Sequence, residues 1–129
     1  MRDEDVMHDR SWRRKFHCAF RGVKRGMRGE SSFFVHVFAA AAVVVTAAAF
    51  EADRYEWCLL GLCITLVFTA EMFNCAIEHL GKAVDKNFNP HLRDALDIAG
   101  GAVLLASLGA AALGIAILGR LLSVSLGWV

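Results

Sequence analysis

The sequence carries one proline in 129 residues, a net charge of only +1 and four cysteines. A single proline excludes collagen-like and proline-rich disordered chains, and the eleven glycines do not change that. The balanced charge excludes a globally basic nucleic-acid binder, so no nucleic-acid partner is expected. The cysteines do not form a disulfide framework. Cys18 lies in a basic N-terminal segment, and Cys58, Cys63 and Cys75 lie in or beside one apolar stretch, where they read as small apolar filler. The phosphate-cradling pattern G-x-x-x-x-G-K-[ST] is absent, and so is any Gly-rich strand-to-helix turn. Charged residues, at 21%, fall slightly below the usual share.

What is present is apolar. Hydrophobic residues make up 57% of the chain, and the mean hydropathy is +0.46. A soluble chain of 14.1 kDa could not hide that much apolar surface. Three apolar stretches of about span length point instead to an all-α membrane protein, organised as a single domain over residues 1–129.

Residues 11–28 read as a helix of a different kind. Trp12, Phe16, Phe20, Val23 and Met27 recur at spacings of three and four, with Arg13, Arg14, Lys15, Arg21, Lys24, Arg25 and Arg28 between them. A basic amphipathic helix of this type lies in the membrane interface. The first span is expected at about 33–50, rich in Ala and Val, with His36 and Thr46 its only polar groups. The second is expected at about 57–77 and the third at about 98–119. A polar loop over 79–97, holding the sole proline, Pro90, is expected between them. A signal peptide is not expected, because more than 30 residues precede the first apolar run and two further spans follow it.

Orientation follows from the basic residues. Nine Lys and Arg fall in residues 1–30, one in the turn at 51–56 and three in 79–97. The N-terminus and the 79–97 segment are therefore expected on the cytoplasmic side of a multi-pass protein. Ala102, Ala106, Ala110 and Gly114 form a small-residue ladder, a pattern that lets helices approach closely in lipid.

Glu71 is the informative residue. An ionisable group inside a span costs about 3 kcal/mol on insertion scales and is a functional candidate by default. Asn74 and Glu78 follow at three and seven residues, on the same helical face. Two carboxylates and an amide converging near the membrane surface suit a hard cation such as Mg²⁺, and also a carboxylate base beside it. A polar cluster that glues helices is the alternative. Glu30 is a second acidic candidate, at the membrane end of the amphipathic helix. His79 and His91, with Cys75 or Glu78, lack the spacing of a zinc site. His36 reads as a satisfied interface histidine.

The segment Glu71-Met-Phe-Asn74-Cys-Ala-Ile-Glu78 resembles the E-x-x-N-x-A-I-E signature of the prokaryotic diacylglycerol kinase/undecaprenol kinase family. Trp12, Phe16, Ala19, Gly22 and Glu30-Ser-Ser-Phe33 resemble the family's entry segment. Asn89 to Leu105 resembles its K-D-x-A-x-x-A-V-L-L segment, and the resemblance covers roughly residues 12–118. It implies a homotrimer in the bacterial cytoplasmic membrane, with three spans and a surface helix per subunit. It implies transfer of the γ-phosphate of ATP, with Mg²⁺, to the hydroxyl of a membrane lipid, either diacylglycerol or undecaprenol. By position, Glu71 would be the general base and Asn74 would orient the reacting groups. Glu30 and Glu78 would hold the metal–ATP, and Asp97 would organise the nucleotide site. The family's Lys before that Asp is Leu96 here. Arg93, one turn earlier, is a candidate to supply the missing charge at the nucleotide; a solvated arginine beside Asp94 is the competing reading. A different class of function stays open on the residues alone, namely a small multi-span transporter or oligomeric scaffold with Glu71 as a proton site.

Overall fold

A computed structural model describes residues 11–28, 31–84, 87 and 89–128. Among them there are four helices and no strand: α1 (Trp12–Met27), α2 (Ser31–Ala49), α3 (Arg54–Val84) and α4 (Pro90–Ser125). The chain divides into two units, residues 1–30 with α1 and residues 31–129 with α2–α4.

α1 forms where the apolar period of three and four predicts it. The backbone N–H groups of Arg14 and Lys15 donate to the Ser11 carbonyl at 2.9 and 3.1 Å, and Lys24 and Arg25 stand in the last turn, where the helix dipole favours cations. Its apolar stripe is exposed along its whole length. Trp12 and Phe16 have ring centroids 6.3 Å apart, and the Lys15 ammonium lies 5.0 Å from the Trp12 ring centre.

α2, α3 and α4 are each long and apolar enough to cross a membrane. Nineteen residues make α2 roughly 28 Å long; the 31 of α3 and the 36 of α4 give roughly 46 and 54 Å. The two longer helices exceed a hydrocarbon core of about 30 Å, so their polar ends continue as helix beyond it. The polar loop expected over 79–97 is therefore corrected: α3 runs on to Val84, and α4 begins at Pro90. The local reason is a strong start signal. Asn89 Oδ1 accepts from the backbone N–H of His91 at 3.0 Å and of Leu92 at 3.3 Å, while Pro90 occupies the first turn, where its missing N–H costs nothing.

The α2–α3 connection is equally specified. Ala52 N–H donates to the Ala47 carbonyl at 2.9 Å and Glu51 N–H to Ala48 at 3.3 Å, which closes α2 with a left-handed residue, Glu51 at φ 54°. Asp53 then caps α3. Its Oδ1 accepts from Tyr55 and Glu56 N–H at 2.8 and 2.9 Å, and Glu56 Oε2 accepts in return from Asp53 N–H at 2.9 Å. At the far end of α4, Gly127 at φ 70° allows Trp128 N–H to reach the Ser123 carbonyl at 3.0 Å.

α3 and α4 are antiparallel and tied at both ends. At one end, a Cβ on Gly81 would lie 3.2 Å from Leu92 Cδ1, so only glycine permits this approach without the leucine yielding. At the other, Arg120 donates through Nε and Nη2 to Glu56 Oε1 at 3.1 and 2.6 Å, with Asp53 Oδ2 3.8 Å away. Near that end Ala47, Leu60, Ile117 and Leu121 form a buried cluster. Phe33, at the start of α2, is buried and stacks on Phe68 of α3 with centroids 5.1 Å apart.

Candidate active site

The inward stripe of α3 passes through Leu60, Val67, Glu71, Cys75 and Gly81, all buried, at steps of seven, four, four and six residues that keep them on one side of the helix. Glu71 is only 2% exposed. Asn74 and Glu78, on the same stripe, are half-buried, and Asn74 Nδ2 donates to Glu78 Oε1 at 3.1 Å. The helical phase thus brings the three expected residues to one side of α3, and the amide holds the outer carboxylate. No hydrogen bond to the Glu71 carboxylate occurs among the described residues.

Position along the helix follows from the neighbouring contacts. Phe68 precedes Glu71 by one turn and stacks on Phe33, while Gly81 follows Glu78 by three residues and meets Leu92. Glu71 therefore lies on the α3 segment between two helix–helix contacts, and Glu78 lies toward the polar helix end.

Asp97 and Arg93 stand on the first two turns of α4. Arg93 Nε is 3.9 Å from Asp97 Oδ2, and both side chains are largely exposed. The arginine is thus solvated and within ion-pair reach of Asp97, one turn ahead. Leu96 is half-buried. Glu30 lies outside the described residues. His79 makes a local contact: its Nδ1 is 2.9 Å from the Cys75 carbonyl oxygen of its own helix, and among the described residues no group of three His, Cys, Asp or Glu is placed to hold a metal.

Two groups that sequence reasoning missed stand out. Glu56 is buried at 6% exposure and ion-paired to Arg120; the Asp53-x-x-Glu56 spacing is a capping-box signal that could have located the helix start. The other is Ser107, whose Oγ is buried without a hydrogen-bond partner among the described residues. No sequence signal marks it, because only packing decides which face of α4 is covered.

Residues 17–118 match the family model described as prokaryotic diacylglycerol kinase. The chain belongs to the prokaryotic diacylglycerol kinase family. Among curated relatives in and around this family, it is 34% identical over 90 residues to the undecaprenol kinase of Bacillus subtilis, an alignment covering 70% of this chain and 73% of that one. It is 30% identical over 100 residues to the diacylglycerol kinase of Synechocystis, covering 77% of this chain and 57% of that one. No solved structure matches it.

Proposed function

We propose that this membrane protein is a lipid kinase that transfers the γ-phosphoryl group of ATP to the hydroxyl of a membrane lipid, with the reaction placed at the Glu71–Asn74–Glu78 stripe of α3. Family membership favours this reading over a small transporter. The observation that carries the location is the buried Glu71, free of protein hydrogen bonds among the described residues, one turn from an Asn74–Glu78 pair. In the reaction the lipid hydroxyl oxygen attacks the γ-phosphorus. The bond to the bridging oxygen breaks, ADP leaves, and the hydroxyl proton passes to a Glu71 carboxylate oxygen.

A hard cation is proposed beside Glu78. Glu78 offers carboxylate oxygen, with Asn74 steadying it, and Glu30 is the second carboxylate proposed by sequence position. Bound there, Mg²⁺ would neutralise phosphate charge. Arg93 and Asp97, exposed at the polar end of α4, are proposed as the nucleotide-binding pair. Catalysis in this scheme rests on positioning a water-soluble phosphate donor against a lipid hydroxyl at the membrane surface. The α1 helix would lie along that surface. The assembly is proposed to be a homotrimer in the bacterial cytoplasmic membrane with its N-terminus inside.

The test is transfer of labelled phosphate from ATP to lipid in detergent micelles, with and without Mg²⁺, for the wild type and Glu71→Gln. Labelled lipid from the wild type alone, and only with Mg²⁺, is the expected result. Equal labelling by the variant would remove Glu71 from the reaction.

A further inference from the structure

Between α2, α3 and α4 lies a groove of about 320 Å³, lined almost wholly by apolar and small side chains. It begins at the level of His36, Phe68 and Ser107 and extends to Leu60 and Leu118, toward the Glu56–Arg120 end. Phe68 is three residues before Glu71, so this end of the groove lies roughly 4.5 Å along α3 from the proposed base. Gly114 lines the groove and is buried, yet a Cβ added to it would meet nothing within 4 Å. The space beside it is open.

Its two polar lining residues sit at the end nearest Glu71. The hydroxyls of Thr46, Thr65, Thr69 and Ser123 each donate to the carbonyl four residues back, at 2.8 to 2.9 Å. Ser107 Oγ does not; it is buried and has no partner among the described residues. His36, on α2, is half-buried and forms no hydrogen bond among the described residues. Both groups can donate, an O–H and a ring N–H, and neither has an acceptor among the described residues; unmet donors at membrane depth are unfavourable.

We infer that the groove receives the hydrocarbon part of the lipid substrate, and that His36 and Ser107 donate to ester carbonyl oxygens just below its hydroxyl. The inference rests on the kinase reading. It selects an ester-bearing glycerolipid alcohol over a polyprenol. Both have a hydroxyl to present to Glu71 and a chain to lay in the groove. Only the glycerolipid carries acceptors a few bonds below the hydroxyl, and a polyprenol would leave both donors unmet. A site built to hydrogen-bond a ligand discriminates most strongly against the analogue lacking that group.

The experiment compares three acceptors in detergent micelles: 1,2-dioleoylglycerol, the matching 1,2-dialkylglycerol in which ether methylenes replace the carbonyls, and undecaprenol. The wild type is expected to show a KM for the diester roughly tenfold below that for the diether. Ser107→Ala and His36→Phe should each narrow this ratio, and the double variant should bring it near one. Gly114→Leu, which fills the groove, should raise KM for both glycerolipids. Equal KM values for diester and diether in the wild type would overturn the inference, as would a lower KM for undecaprenol. So would Ser107→Ala and His36→Phe variants that leave the diester-to-diether KM ratio at its wild-type value. Phosphorylation of none of the three by the wild type would remove the kinase reading itself, and this inference with it.

Discussion

Asn74 donates to Glu78 across one turn of α3, and the same amide follows Glu71 by three residues. The amide therefore stands between two carboxylates and can hold one while leaving the other unbonded. Asn74→Ala should release Glu78 and lower kcat by about a hundredfold, the scale expected when a positioning contact is lost. Asn74→Asp should cost at least as much, because it sets a third carboxylate among the two. Steady-state phosphorylation rates across a Mg²⁺ titration check both. A variant with wild-type kcat and Mg²⁺ dependence would remove Asn74 from the site.

Glu71→Gln is isosteric and takes a charge out of a span, so the variant should insert and fold at least as well as the wild type. It should lose about 10²–10⁴-fold in phosphorylation rate, because an amide does not take the hydroxyl proton. Rate and thermal stability measured on the same detergent preparation separate the two effects.

Arg93 and Asp97 are paired on the exposed start of α4. Arg93→Ala should raise KM for ATP several-fold, on the scale of one charge-assisted hydrogen bond. Leu96→Lys in that background should recover part of the loss, since a lysine there restores a cation within one turn. If Arg93→Ala leaves ATP kinetics unchanged, the charge comes from Arg21, Lys24 or Arg28.

Gly81 and Leu92 set the α3–α4 separation near the site. Gly81→Leu should destabilise the fold by about 1–3 kcal/mol through overpacking. Leu92→Ala in the same chain should relieve much of it, giving a coupling energy in a double-mutant cycle of thermal unfolding. Additive effects would mean that the two helices part freely there.

Much of the architecture is legible in the residues. The period of α1, the three apolar runs and the shared face of Glu71, Asn74 and Glu78 are local properties, and α1 and α3 display them as the spacing predicts. The polarity of residues 79–97 suggests a loop, but polarity alone does not end a helix. Asn89 and Pro90 in fact start one, and α3 and α4 simply outrun the bilayer core. The Glu56–Arg120 pair joins residues 64 positions apart, and His36 and Ser107 line one groove only through the packing of α2 and α4 on α3. Single-chain periodicity carries no information about such meetings. The small-residue ladder lies between these cases: Gly114 is buried and Ala106 and Ala110 half-buried, while Ala102 faces outward.

The Glu56–Arg120 clamp has a consequence for biosynthesis. Glu56 leaves the ribosome 64 residues ahead of the arginine that neutralises it. At about 5–20 residues per second, the carboxylate waits roughly 3–13 s for its cation. Until α4 arrives, the α2–α3 hairpin holds an acid with its own helix cap as company but no counter-charge. Nascent chains stalled before residue 120 should therefore be better substrates for membrane quality-control proteases than chains stalled just after it.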